Sequence, residues 1–331
     1  MTTSSPPKLR RVLPSWDALP SRQEWVLLGL LGVVFFLAWR LSPDFLAPAA
    51  QIELSTHIWE LALLAIPMTL IILTAGIDLS VGSTMALCAV VFALCFNAHL
   101  PIAICVLLSL LTGAAAGALN GVFVASVKVH PLIVTLATLA AYRGIAEGLS
   151  RGQAVSHFPA GFDNLGQGTL ASLPIPGLIF IVLLLVTGFV LARTPLGVWL
   201  SAIGYNETAA RFSGIATARI KFWLYTASGL TAALSSLLFV ARHDTAKADI
   251  GQGMELGVIT AVVLGGTSIF GGRGRLLGTV LGVLLIHETR EFVSWQWEKD
   301  ELNLIVIGLL LVLSVLADGL LSGRAGKKKG V

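Results

Sequence analysis

The chain is short of charge. Asp, Glu, Lys and Arg together make up 12% of its 331 residues, where soluble proteins carry about 25%. That shortage excludes a soluble catalytic domain of useful size. Cysteine is scarce as well. Cys88, Cys95 and Cys105 all lie in apolar stretches, with no disulfide framework or metal spacing, so they read as inert thiols and no metal site is expected. The Gly-x-x-x-x-Gly-Lys-Ser/Thr pattern of a phosphate loop is missing. The glycine-rich run at 265–274 has no lysine to reach phosphates, so no nucleotide or other cofactor is expected on this chain. His, Asp and Glu do not cluster inside the apolar stretches, where Asp78 stands nearly alone. This argues against a membrane-embedded enzyme and against a proton relay. A cleavable signal peptide is not expected either: the first apolar run starts only near Trp25, lacks a small-residue cleavage pattern, and has a second run close behind.

What the chain has in abundance is apolar sequence. Hydrophobic residues make up 56% and mean hydropathy is +0.86. At about 20 apolar residues per helical crossing, the spans fall near 24–41, 58–75, 79–97, 101–126, 131–149, 174–192, 220–241, 255–271, 276–290 and 302–318. The expected fold is therefore an all-α polytopic membrane protein of about ten helices. The pair around 255–290 is short enough to be re-entrant or broken.

Basic residues favour the cytoplasmic side of such chains. With the N-terminus cytoplasmic, most of the 22 basic residues fall inside: Lys8, Arg10, Arg11, Arg22, Lys128, Arg193, Arg211, Arg219, Lys221, Arg273, Arg275, Arg324, Lys327, Lys328 and Lys329. Asp44, Glu53, Asp163, Asp244, Asp249, Glu298, Asp300 and Glu301 fall outside. One span more or fewer would destroy this separation, so both termini are expected in the cytoplasm. Residues 1–23 and 319–331 become cytoplasmic tails around a membrane domain at 24–318. Ten spans divide into five plus five, and an odd number per half suggests inverted repeats.

The stretch Gly76-Ile77-Asp78-Leu79-Ser80-Val81-Gly82-Ser83 puts a carboxylate between two apolar runs with almost no linker. A charge at a membrane helix centre costs roughly 2.5–3.5 kcal/mol on insertion scales. Gly76 and Gly82 permit a tight bend, and Ser80 and Ser83 offer hydrogen-bond partners. One reading is a helix break lining a transport path. The other is a surface loop whose Asp caps the next helix. Ser80, Ser83, Asn120, Thr135 and Thr138, with Asp78, are candidate lining residues for a neutral polar solute. A second glycine-rich stretch, with Gly265, Gly266, Gly271 and Gly272, sits in the corresponding place of the second half.

Gly113, Gly117 and Gly121 recur every four residues, a spacing that lets helix backbones approach closely. Asn120 beside them either cross-links helices or faces a cavity. Arg143 and Glu147 share a helical face and read as a self-satisfying pair rather than a solute clamp. The loop 151–173 is long enough for an outer gate or a docking surface, and Arg242–Gly253 reads as a second external segment.

The longest internal cytoplasmic segment is 193–221. Asn206 is an N-cap candidate, Glu207 lies in the first turn, Ala209, Ala210 and Arg211 form helix, and Gly214 allows a return turn. A short helix with small residues suits a groove on another protein. A plain connector is the other reading.

Three stretches now carry a resemblance: Gly76–Ser83, Ala202–Ile215, and Val262-Val263-Leu264-Gly265-Gly266-Thr267-Ser268-Ile269-Phe270-Gly271-Gly272-Arg273-Gly274. Over about residues 25–318 the sequence resembles the permease subunits of bacterial ABC importers for monosaccharides, the branch with ribose, xylose, rhamnose and autoinducer-2 transporters. The loop resembles the Glu-Ala-Ala coupling motif of such permeases, with Thr208 inserted between Glu207 and Ala209. The resemblance implies a multi-pass protein of the cytoplasmic (inner) membrane that moves a small sugar inward. It implies that a separate cytoplasmic ATPase subunit binds ATP and Mg and docks on Glu207, Ala209, Ala210, Arg211 and Gly214. It also implies an extracytoplasmic sugar-binding protein and a second permease, identical or paralogous, with no nucleic-acid partner. The competing class is an ion-coupled secondary carrier or channel for a small polar solute.

Overall fold

The computed structural model describes residues 22–170 and 173–297, and beyond them 302, 303, 305, 306, 308, 309 and 312. The expected tails lie outside the described residues except Arg22 and Gln23, which begin the first helix. The expected tenth span is described only at those last positions, all helical.

The chain is a helical membrane protein. In hydrocarbon every backbone N–H and C=O needs a partner within the protein, and an apolar run meets this most simply as a helix. In order these are α1 (Arg22–Leu41), α2 (Pro48–Leu54), α3 (Trp59–Leu73), α4 (Val81–Asn97), α5 (Ile102–Gly121, extended by a π-helical turn to Val127), α6 (Pro131–Ser150), α7 (Asn164–Gln167), α8 (Ile175–Arg193), α9 (Leu196–Tyr205), α10 (Glu207–Phe212), α11 (Thr217–His243), α12 (Met254–Leu264) and α13 (Leu276–Trp297). Among the described residues strands form two short antiparallel pairs. Val155–Ser156 (β1) pairs with Thr245–Ala246 (β4), and Thr169–Leu170 (β2) with Leu173–Pro174 (β3).

Among the described residues five helices are long and apolar enough to cross a membrane: α1, α5, α6, α8 and α11. A sixth span arises if α2 and α3 count as one crossing bent by 53°. α3, α4 and α12 are short because they end at breaks, whereas α13 is 22 residues long but carries Glu288, Arg290 and Glu291. The first glycine stretch separates α3 from α4, and the second separates α12 from α13. The expected span 255–271 is helical only to Leu264, since Gly266, Gly271 and Gly272 then take left-handed φ values of 94°, 82° and 77°.

α3 is buried on nearly every side, with Leu63, Leu64, Met68, Ile71 and Ile72 fully enclosed, as befits a helix that is apolar all round. α8, α11, α12 and α13 surround it. The outer surface belongs to α1 and α8, where Phe36, Leu185 and Phe189 stand exposed on faces suited to lipid. α5 and α11 meet at backbone distance. A Cβ on Gly117 would lie 3.0 Å from Gly229 N, one on Gly121 would lie 2.9 Å from Phe222 O, and one on Gly113 would fall on Gly229 O. The fourfold glycine spacing thus makes the groove for α11.

Candidate functional site

At the first break the left-handed residue is Ala75, with φ 59°, rather than a glycine. Gly76 is needed for space instead, because a Cβ there would sit 2.8 Å from the Tyr225 hydroxyl. Asp78 is 2% exposed. Its Oδ1 accepts from Ser80 N at 3.0 Å and from Ser80 Oγ at 2.6 Å, an Asx turn closed on its own loop. Its Oδ2 accepts from Ser228 Oγ of α11 at 2.8 Å. Asn120 Nδ2 of α5 donates to Ser80 Oγ at 2.8 Å. Ser83 Oγ donates to Ser80 O at 2.9 Å. The carbonyl of Ile77 accepts from Thr135 Oγ1 of α6 at 3.2 Å and from Tyr225 Oη at 3.4 Å.

Asp78, Ser80, Ser83, Asn120 and Thr135 are therefore brought together, but as a buried knot that ties the break to α5, α6 and α11. Most of their polar groups are spent on one another; Asn120 Oδ1 is buried without a hydrogen-bond partner among the described residues. In this structure these candidate lining residues hold the break together. Thr138 turns back on its own helix, donating to Val134 O at 3.1 Å. The capping alternative fails, since Asp78 accepts from Ser80 and not from the first-turn N–H groups of α4. Ser228 and Tyr225 were not singled out from sequence. The signal that could have found Ser228 is a Ser-Gly pair in the middle of an apolar span.

The second break folds on itself through Ser268 N to Arg273 O at 2.8 Å and Gly271 N to Ser268 O at 2.9 Å. It then reaches the first break: Gly272 N donates to Leu73 O, the last residue of α3, at 2.9 Å. Gly204, near the end of α9, lies directly on that hydrogen bond. A Cβ at 204 would fall on Leu73 O and Gly272 N, and would lie 3.0 Å from Gly271 C. One on Gly271 would lie 2.8 Å from Ala75 N. Three backbones converge here without an intervening side chain, and close-packed backbone transmits displacement rather than absorbing it. Gly204→Ala is accordingly expected to leave membrane insertion intact while separating α9 from both breaks. Uptake should fall by about tenfold or more, the effect of a shift of about 1.4 kcal/mol or above, as measured in vesicles normalised to inserted protein. Parental uptake would show that the junction carries no motion.

The segment 193–221 holds two helices, not the single short one expected. α9 was missed because its apolar residues, Leu200 and Ile203 among them, pack inward and read as a continuation of the preceding span. α10 is capped by Asn206, whose side chain accepts from Ala209 N at 2.9 Å. Glu207 does not cap; it forms an ion pair with Lys221 Nζ and so fastens α10 to the start of α11. At the other end Ile215 N donates to Ala210 O at 3.1 Å and Gly214 N to Arg211 O at 3.0 Å. With Gly214 at φ 87° this is a Schellman ending. Ala210 is buried against its own chain, which corrects its expected place on a contact face. That face instead presents Thr208, Ala209, Arg211 and Phe212, the last 82% exposed.

On the outer side the Asp244 carboxylate accepts from His157 N at 3.1 Å and Phe158 N at 2.9 Å, pinning the loop 151–173 to the end of α11. Phe162 then stacks on Phe92 with ring centroids 5.0 Å apart, and Phe158 packs tilted against it at 5.1 Å. Glu60 pairs with Arg242 at 3.0 Å, joining α3 to α11. Arg143 forms no ion pair with Glu147 among the described residues. Its Nη1 donates to Ala248 O and, at 2.9 Å, to Ile250 O, so the expected self-satisfying pair is replaced by a tether to the segment after α11.

Comparison with known proteins bears on this arrangement. The family model described as the permease component of the branched-chain amino acid transport system matches residues 52–315. The chain is 35% identical over 262 residues to the autoinducer 2 import system permease protein LsrD of Yersinia pestis (strain Pestoides F), covering 77% of this chain and 79% of the relative. It is 34% identical to that of Yersinia enterocolitica serotype O:8 and 35% identical to that of Yersinia pseudotuberculosis serotype O:3, with the same coverage. No solved structure matches the chain. A broken-helix core, an internal capped helix outside the spans, and a family match over most of the length lead to one conclusion: this chain belongs to the family of transport-system permease components, and it is a multi-pass transport subunit of the bacterial inner membrane, not an enzyme.

Proposed function

We propose that this permease moves a monosaccharide or a related small polar sugar inward, driven by ATP hydrolysis on a separate cytoplasmic subunit. An extracytoplasmic binding protein delivers the sugar, and a second permease, identical or paralogous, completes the membrane unit. ATP and Mg belong to the ATPase subunit.

The observation that carries this reading is α10. It is capped at both ends, presents Phe212 outward, and stands two residues from Gly204, where both helix breaks meet. Such a helix has the form of a lever set in a partner's groove, which an ion-coupled carrier does not need. The sugar class is supported by the likeness to the three stretches of monosaccharide permeases and by relatives named as autoinducer 2 import permeases. The face of α10 named above, with Gly214 as its return turn, is the proposed contact of the ATPase. Uptake of a panel of radiolabelled monosaccharides into proteoliposomes holding the full complex tests the reading, with branched-chain amino acids as the opposing panel.

A further inference from the structure

The segment joining α11 to α12, expected as a second external segment, starts at the outer loop, where Thr245–Ala246 pairs with Val155–Ser156. From Ala246 it runs down alongside α4. Gly251 lies against Gly82, such that a Cβ on Gly251 would be 2.8 Å from Gly82 O. Gly82 is in the first turn of α4, whose other end is Asn97. At 1.5 Å per residue the two are about 22 Å apart along the helix. The segment therefore follows α4 inward, as strand at Thr245–Ala246 and then as turns from Ala248 to Gly253.

Its side chains alternate. Ala246, Ala248 and Ile250 are buried, while Lys247 and Asp249 stay exposed. Non-helical backbone at this depth is tolerated only where the protein satisfies it or water borders it. Arg143, seven residues from the end of α6, satisfies one side through Ala248 O and Ile250 O. On the other side Lys247 Nζ and Asp249 Oδ2 pair at 3.1 Å with side chains about half exposed. Gln252, and Glu147 one turn along α6 from Arg143, are exposed as well. A charged side chain facing hydrocarbon costs roughly 2.5–3.5 kcal/mol, so a face with three such groups borders water. The contrast with the apolar outer face of α8 is direct.

We propose that this face, Lys247, Asp249 and Gln252 with Glu147, is a solute-binding subsite on the aqueous route through the permease. The ligand class is a neutral polyhydroxy compound. The Lys247–Asp249 pair sets an N–H donor and a carboxylate acceptor 3.1 Å apart with no net charge, so one hydroxyl of a vicinal diol accepts from Lys247 while its neighbour donates to Asp249. The ligand class rests on the sugar reading above; the aqueous placement does not.

The test uses the full complex in proteoliposomes, with Cys88, Cys95 and Cys105 replaced by serine and single cysteines placed by Lys247→Cys, Asp249→Cys and, as a lipid-facing control, Leu185→Cys. An impermeant, positively charged methanethiosulfonate is the probe, with ribose, xylose, rhamnose and leucine as competitors. Positions 247 and 249 should react, position 185 should not, and at least one of the sugars should slow the reaction several-fold while leucine does not. Separately, Asp249→Ala should lower sugar uptake more than Asp249→Asn. No labelling at 247 and 249 from either side, or uptake unchanged in both Asp249 variants, overturns the subsite while leaving sugar transport standing. Protection by leucine alone overturns the polyhydroxy ligand and the sugar reading together, and leaves only the aqueous face.

Discussion

Asp78→Ala is expected to abolish most transport without preventing insertion. The substitution removes both acceptors at the centre of the first break. Ser80 N–H is fixed by the turn and loses its partner, and Ser80 Oγ and Ser228 Oγ lose theirs. Hydroxyls rotate to new acceptors, but a backbone N–H cannot, and leaving it buried and unpaired costs about 1–3 kcal/mol. Asn120 Nδ2 still donates to Ser80 Oγ, so the knot loosens rather than empties. A loss of this size is equivalent to roughly five- to hundredfold in the balance of two conformations. Asp78→Asn keeps an oxygen for Ser80, and its amide can donate to Ser228, so it should be milder. Uptake per inserted protein, with the detergent melting temperature of each variant alongside, gives the comparison. Parental uptake in Asp78→Ala would mean that the break holds its shape without the carboxylate.

Gly214→Val and Ala209→Glu should separate ATP hydrolysis from uptake. Nothing lies within 4 Å of a Cβ at Gly214, so Val crowds no part of this chain. The penalty is conformational: φ 87° is a left-handed geometry that costs a non-glycine residue roughly 1–3 kcal/mol when enforced. The Schellman ending opens and α10 loses its fixed angle. Ala209→Glu acts differently, placing a charged side chain on the exposed face of α10 without touching its buried side, where Ala210 lies. Both variants should assemble with the ATPase more weakly or stimulate it less when the loaded binding protein is present. Sugar uptake should fall further than hydrolysis. The check is ATPase stimulation and co-purification measured on the same preparations; normal values in both variants would place the coupling surface elsewhere.

The spans were legible in the sequence because lipid imposes one rule, apolar residues in helical lengths, and α1, α5, α6, α8 and α11 obey it directly. The two breaks were legible for the opposite reason: glycine and a lone carboxylate have no ordinary place in a membrane helix. What the sequence did not disclose was where polar groups find partners across the fold. Asp78 and Ser228 are 150 residues apart, and only the packing of α11 against the break makes one serve the other. The role of Arg143 was misread for the same reason, since helical spacing pointed to Glu147 four residues on, whereas its partners are carbonyls more than 100 residues away. Ala210 was misassigned because composition reveals a small helix but not which of its faces turns inward. The approach of 246–251 to the first turn of α4 was hidden by its charges, which read as those of a plain exterior loop.

The most direct test of the central claim, an ATP-driven sugar permease, is uptake into proteoliposomes containing this chain, the ATPase subunit, the binding protein and any sister permease. Sugar should accumulate with ATP and Mg supplied on the cytoplasmic face, stop when hydrolysis is blocked by vanadate, and be indifferent to an ionophore. Uptake that survives the loss of ATP and collapses with the ion gradient would contradict the account and make the chain an ion-coupled carrier.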